Sequence, residues 1–458
     1  MKTSKRELQS RVYKMPTLRF TDQTLTSFAG LIIFQPLFAI LELKKRLRFC
    51  FAHLNLGSIF GHHFIMLLLV VHLLLGFRRL RDIDYYKDDP LVKRILGLNK
   101  LPDVATISRA LGDADERSVT KARELLRTLV LERLQKLNLA RITLDFDGSV
   151  LSTSRHAEGT AVGFNKKKKG ARSYYPLFCT LAQTGQVFDF FHRPGNVHDS
   201  NGAREFIAAC ITTIRRALPG VVIEARLDSA FFNDDIVTLL NDENVKFTIS
   251  VPFERFPELK KMIEAHQVWK PLDEDWSYFE NGWKPKVWDR RYRFLFIRQK
   301  SKIIDKQPIQ LDLFVPQEYG YEFSVIITNK GTSAKRVLLY HHGRGSQESV
   351  FGELKSHSQL DYVPVHHLYG NQLYMIAAIM SHNLNRELQM ATMPADRNTT
   401  TKRTSLWQFT ELATLRHRLL QRAGRLTQPC NRLTLTLSNN EIIKNEVLHF
   451  IETLTKAA

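Results

Sequence analysis

Cysteine is scarce in this chain. The 458 residues hold four, Cys50, Cys179, Cys210 and Cys430, widely spaced and without a C-x-x-C pair. A small disulfide-stapled scaffold is excluded, and a reducing compartment is the simplest expectation. No long apolar run is present either. Phe28–Leu43 is broken by Gln35-Pro36, and Phe64–Phe77 contains His72 and stops at Arg78-Arg79. A spanning helix needs ~20 apolar residues, so both stretches are expected to be buried helices, with no membrane partner. Met1-Lys2-Thr3-Ser4-Lys5-Arg6-Glu7 is polar and is not followed directly by an apolar core, so no secretory leader is expected. Internal repeats and low-complexity segments are also missing. With 44% hydrophobic and 24% charged residues, the chain is not a largely disordered one. Acidic residues are outnumbered: 66 Lys and Arg face 46 Asp and Glu, a net charge of +20. Such a surplus points to a polyanionic partner, of which nucleic acid and anionic membranes are the usual kinds.

The length predicts about three units at ~150 residues each. Residues 1–139 read as a helical N-terminal domain, with apolar residues at helical spacing through Phe28–Leu43, Ile59–Leu75 and Val119–Leu137. Leu101–Leu111 reads as a turn and a short helix that offers Thr106, Ser108 and Arg109 to a phosphate backbone. The texture changes at Ala140. Strands are predicted at Arg141–Asp147, Tyr174–Leu181, Gly185–Phe191, Val221–Leu227 and Lys246–Val251, with helices at Ser200–Leu218 and Asn233–Leu240. That order predicts a mixed sheet with helices on its faces. Residues 252–320 break the rhythm. They hold Trp269, Trp276, Trp283 and Trp288 and strand-like runs at Tyr292–Arg298 and Ile309–Phe314, and read as a β-rich insertion. The main sheet returns at Phe323–Thr328, and 321–392 forms the second part of the core. Residues 393–458 are a basic C-terminal segment. Between 396 and 432 it carries Arg397, Lys402, Arg403, Arg416, Arg418, Arg422, Arg425 and Arg432 against Asp396 and Glu411.

Three acidic places stand out in this basic chain. Asp145 and Asp147 are two apart on a predicted strand and share a face. Asp228 ends an apolar strand, where α/β sites commonly lie. Glu348 precedes Lys355 by seven residues, two turns along one helix face. Metal-assisted phosphodiester cleavage needs carboxylates converging on ions, and hard Mg²⁺ prefers oxygen ligands. Taken singly, each of these residues is more often a cap, a turn residue or a solvated charge. Their order along the chain gives them weight together.

With these motifs the chain resembles DDE transposases of bacterial insertion sequences. Asp147-Gly148-Ser149 is similar to the first-carboxylate motif of that family. Arg226-Leu227-Asp228-Ser229-Ala230-Phe231 is similar to the second. Arg344, Glu348 and Lys355 match the Tyr-Arg-Glu-Lys signature of one branch, while Tyr340 sits one residue further from Arg344 than is common. Arg193-Pro194-Gly195-Asn196-Val197-His198, Ile327-Thr328-Asn329 and Arg422-Ala423-Gly424-Arg425 add to the likeness, which covers roughly residues 20–440.

The resemblance implies a mixed α/β (α+β and α/β) fold. It would have an RNase H-like catalytic core over 140–251 and 321–392, with the β-rich insertion before the last carboxylate. It implies Asp147, Asp228 and Glu348 as catalytic metal ligands for two Mg²⁺ or Mn²⁺ ions. Asp145 is the rival of Asp147, which is preferred because Gly148-Ser149 follows it. Glu353 is the rival of Glu348 and reads as a helix-surface charge. Arg344, Lys355 and Tyr340 would bind phosphates, and the loop Lys166, Lys167, Lys168 and Lys169 would make sequence-independent DNA contacts. The implied activity is cleavage at terminal inverted repeats, recognised by the helical N-terminal domain 1–139 and the basic C-terminal segment, followed by strand transfer of the 3′-OH ends into target DNA, by a homodimer on paired ends. The setting would be the bacterial cytoplasm, at the nucleoid. The alternatives are an RNase H-like nuclease without strand transfer and a catalytically silent DNA-binding derivative.

Overall fold

A computed structural model describes residues 24–54, 60–153, 156–163, 165, 168–198, 200–300 and 320–457, with Gln9, Val12 and 15–20 near the start. Its centre is a nine-stranded mixed sheet. The strands are β1 (Arg141–Gly148), β2 (Leu177–Leu181), β3 (Gln186–Phe191), β4 (Val222–Leu227), β5 (Lys246–Val251), β6 (Lys270–Pro271), β7 (Trp276–Trp283), β8 (Tyr292–Lys300) and β9 (Tyr321–Thr328). They lie in the order β6-β7-β8-β9-β5-β4-β1-β2-β3. β1, β4 and β5 run parallel, and the remaining pairs are antiparallel. β7 and β8 therefore continue the central sheet through β9. The Ile309–Phe314 run lies outside the described residues.

The predicted strand at Tyr174–Leu181 is two strands. Arg172–Tyr174 joins a small separate sheet, and the central strand starts only at Leu177. Pro176 lies between them, and a proline cannot donate to a ladder.

The helices that matter here are α1 (His62–Leu75), α2 (Glu116–Leu137), α3 (Ala203–Ala217), α4 (Asp234–Asp242), α5 (Ala334–His342), α6 (Gly345–Ser356) and α7 (Leu368–Thr392). On one face of the sheet, Ile142, Leu144 and Phe146 pack with Phe206, Ile207 and Cys210 of α3 and Ile236 and Val237 of α4. On the opposite face, Thr143, Asp145, Glu224, Arg226 and Thr248 are also buried. Polar strand positions usually face water. Here they form a closed layer of hydrogen bonds and ion pairs, the condition under which buried polar groups are tolerated.

α7 is buried along almost its whole length and belongs to the same apolar core as α1 and α2. It also closes an exposed sheet edge. Asn383 on α7 accepts from the Val187 N–H at 3.0 Å and donates to the Val187 carbonyl at 2.7 Å, which satisfies β3 where another chain could otherwise pair. Arg133 of α2 forks onto Glu387 of α7, with Nε to Oε2 at 2.9 Å, and so ties the helical N-terminal part to the core. Both apolar stretches of the N-terminal part are buried here. Among the described residues, no helix is long and apolar enough to cross a membrane.

Glu224 anchors the polar layer. Its carboxylate accepts from Lys330 Nζ at 2.5 Å and from Arg403 Nε at 2.6 Å. Burial alone would raise this carboxyl, but Arg403 and Lys330 outweigh it and hold it at about 2. The same burial lowers the Lys330 ammonium and offsets part of the gain. A depressed carboxylate contributes stability above its unfolded pKa near 4.5 and loses it as pH falls toward about 2. Urea midpoints of the wild type and Glu224→Gln should therefore differ most near neutrality and converge below about pH 4.5. A gap independent of pH would contradict this account.

Candidate active site

The parallel pairing of β1 with β4 gives the two β1 aspartates different surroundings. Asp145 is in register with Arg226, and Phe146 with Leu227. Side chains two apart share a face, so Asp145, Asp147, Arg226 and the position of Asp228 fall on one side. Asp145 and Arg226 form a buried two-pronged ion pair, with Nε to Oδ1 at 2.5 Å and Nη2 to Oδ2 at 2.7 Å. The remaining Arg226 nitrogen donates to the carbonyls of Lys402 at 2.7 Å and Tyr340 at 3.1 Å. Desolvation raises the Asp145 carboxyl in spite of the attraction of Arg226. Asp145 is a structural pillar, sealed from any substrate.

Asp147 lies one pleat further, where the strand emerges. Its side chain is 20% accessible. The β1–β4 register ends at Phe146 and Leu227, so Asp147 and Asp228 are the next residues along two neighbouring strands ~4.8 Å apart. Two carboxylates so placed repel unless a cation stands between them. Asp228 also accepts from the Ala230 N–H at 2.9 Å, which starts a short 3₁₀ turn. Arg344 reaches Asp147 Oδ2 with Nη1 at 3.4 Å.

α6 supplies the third side of the site and is pinned to β1 at three points. Arg344, just before it, meets Asp147. Gln347 Nε2 donates to the Asp145 carbonyl at 2.9 Å, and Lys355 Nζ donates to the Val150 carbonyl at 3.1 Å. Positions 344, 348 and 355 fall on one helical stripe. Glu348 thus stands between two residues that touch β1 and its extension, and it is exposed. Gly343 allows this close fit: a Cβ there would lie 1.9 Å from the Lys402 carbonyl oxygen and 2.0 Å from Arg226 Nη1. Gln347 has no place in the sequence motif, and only its contact with Asp145 reveals it as an anchor.

Several sequence expectations change here. Tyr340 is 2% exposed, with its ring under Lys330 Nζ at 3.8 Å and beside Arg226, so it cannot touch DNA directly. Glu353 is no helix-surface charge. It is buried, ion-paired with Arg386, and accepts from the Leu412 N–H at 3.1 Å. Two basic residues of the C-terminal segment face inward. Arg403 serves Glu224, and buried Arg416 donates to the carbonyls of Leu73, Leu74 and His357. Lys166 and Lys167 lie outside the described residues, while Lys168 and Lys169 are exposed.

The donor set suits a hard divalent ion, since all three candidate groups are carboxylates carried by neighbouring elements. Among the described residues, however, no three His, Cys, Asp or Glu side chains gather within metal-holding distance. The chemistry of the set fits, and the convergence of Glu348 with the two aspartates is not formed in this arrangement.

The sequence matches the family described as transposase DDE domain group 1 over residues 9–458. The chain belongs to that family. Among solved structures it is similar to the piggyBac transposase synaptic complex with hairpin DNA, at TM-score 0.41 and 12% identity over 85% of this chain and 78% of that one. It is also similar to the Mos1 transposase paired-end complex with left transposon end, at TM-score 0.18 and 12% identity over 36% and 55%. A third is the Mos1 mariner paired-end complex with Mn, at 0.17 and 11% over 36% and 56%. No curated protein matches the chain significantly. This member of the DDE transposase family has a mixed α/β fold, with Asp147 and Asp228 at the ends of neighbouring parallel strands or one residue beyond.

Proposed function

We propose that the protein is an insertion-sequence transposase with an RNase H-like core, acting on double-stranded DNA through Asp147, Asp228 and Glu348. The observation that carries this reading is the β1–β4 register. It uses Asp145 to neutralise Arg226 and leaves Asp147 beside Asp228 at the emerging strand ends. Family membership supports the reaction class. When bound, two Mg²⁺ or Mn²⁺ ions would activate the attacking oxygen and neutralise the leaving one. The chain's own groups do the rest. β1 holds Asp147, the turn after β4 holds Asp228, and α6 carries Glu348 on the same stripe as Arg344 and Lys355. Arg344 offers a planar fork, and Lys355 a point charge, to phosphates beside the scissile bond. A water oxygen attacks phosphorus, the P–O3′ bond breaks, and a 3′-OH is released at the element end. That hydroxyl then attacks a target phosphodiester and displaces its 3′ oxygen. Two copies would act on paired inverted repeats.

The test is an assay on duplexes carrying the element's own terminal inverted repeats, with Mg²⁺ or Mn²⁺ and a target plasmid. Nicked ends and joined products are expected. Nicking without joining from pre-cut ends would mark a nuclease, and binding without either would mark a silent derivative.

A further inference from the structure

A polar cleft of about 750 Å³ lies between the helical N-terminal part and the catalytic sheet. One wall is the 78–81 segment with Ser108, and the other is the chain that leaves β1, Ser152-Thr153, with Lys168. Asp361 and Tyr362, shortly after α6, form its floor. The cleft adjoins the candidate site: Ser152 is five residues beyond Asp147, at most ~17 Å of extended chain. That distance corresponds to about five base-pair steps.

Its charge is one-sided. Among the described residues, Arg78, Arg79, Arg81 and Lys168 line it against Asp361 alone. Arg78 already neutralises Asp361, with Nη1 to Oδ1 at 2.8 Å, and also donates to Gln359 at 2.8 Å. Its carbonyl accepts from the Tyr374 hydroxyl at 3.0 Å. Arg78 is therefore a staple that ties the 78–81 segment to the 359–361 segment and to α7. Arg79, Arg81 and Lys168 are exposed and make no ion pair among the described residues. The hydroxyls of Ser108, Ser152 and Thr153 line the same space. A trough with three cations and hydroxyl-bearing side chains, and the one carboxylate among its described lining residues paired, suits a polyanionic backbone and disfavours a cationic or apolar ligand.

We propose that this cleft is a track for the backbone of duplex DNA beside the scissile bond, with Arg79, Arg81 and Lys168 as its phosphate contacts. It rests on the transposase reading and assigns the helical N-terminal part a place on the DNA path next to the chemistry.

The test is binding of the full-length protein to a short labelled duplex of arbitrary sequence, over a salt series. Arg79→Ala/Arg81→Ala/Lys168→Ala should weaken binding on the order of tenfold to a hundredfold. It should also shallow the log–log salt slope by nearly three, at ~0.9 per phosphate. Lys261→Ala/Lys270→Ala/Lys286→Ala removes the same charge from exposed positions on the helix before β6, on β6 and after β7, and should leave the slope almost unchanged. Arg81→Glu alone, at an exposed position, should give a smaller loss in the same direction. If both triple variants lose alike, or neither loses while the wild type binds, the cleft assignment fails and the transposase reading stands. If the wild type binds no DNA at all, both fail together.

Discussion

Asp228→Asn and Glu348→Gln, each made alone, should lower cleavage of inverted-repeat DNA by about 10³-fold or more. Loss of a metal-holding carboxylate removes several kcal/mol of charge stabilisation in the transition state, at ~1.4 kcal/mol per tenfold in rate. Asp147→Asn should behave in the same way. Its link to Arg344 is 3.4 Å long and partly exposed, so thermal stability should change by no more than ~1 kcal/mol. Asp145→Asn should do the reverse first: it leaves Arg226 buried without its counter-ion and should destabilise the fold. Cleavage surviving in Asp228→Asn or Glu348→Gln would sink the assignment of the triad. Loss of activity in Asp147→Asn accompanied by unfolding would show that the roles of the two β1 aspartates had been exchanged.

The second large effect concerns Arg226, which is fully buried. Arg226→Met keeps much of the volume and strands Asp145 in the polar layer. Removing one partner of a buried pair costs roughly 3–5 kcal/mol. The double variant Asp145→Leu/Arg226→Met removes both charges and should recover a large part of that loss, because a well-packed apolar pair replaces an ion pair at little net cost. The comparison is made by urea unfolding of the two single variants and the double variant. If the double variant is as unstable as the sum of the singles, the pair is not the unit described here. The carbonyls of Lys402 and Tyr340 would lose a donor in both cases, which limits the recovery.

Much of the fold is legible in the sequence because its signals are local. Lys246–Val251 is a strand as its apolar run predicts, and Ala203–Ala217 is a helix within the predicted Ser200–Leu218. Pro176 is a local signal as well, and it moves a strand start that apolar content alone places too early. The stretch Phe64–Phe77 illustrates the limit of composition. Whether such a run meets lipid or protein depends on what packs against it, and here α7 and its neighbours do.

The candidate site divides in the same way. The order Asp147, Asp228, Glu348, the strand and helix that carry them, and the chain's surplus of positive charge are all legible in the sequence. Those follow from residue type and near-neighbour spacing. Long-range packing alone pairs Asp145 with Arg226, encloses Tyr340, buries Glu353 against Arg386, and turns Arg403 and Arg416 inward. Each of these depends on a partner far along the chain: Asp145 and Arg226 are 81 residues apart, and Arg403 and Glu224 are 179 apart. A charge reads as solvated in the sequence because water is the default partner of a charge. It becomes structural only when the fold removes the water and supplies a counter-ion, and that supply is a property of packing rather than of sequence neighbours.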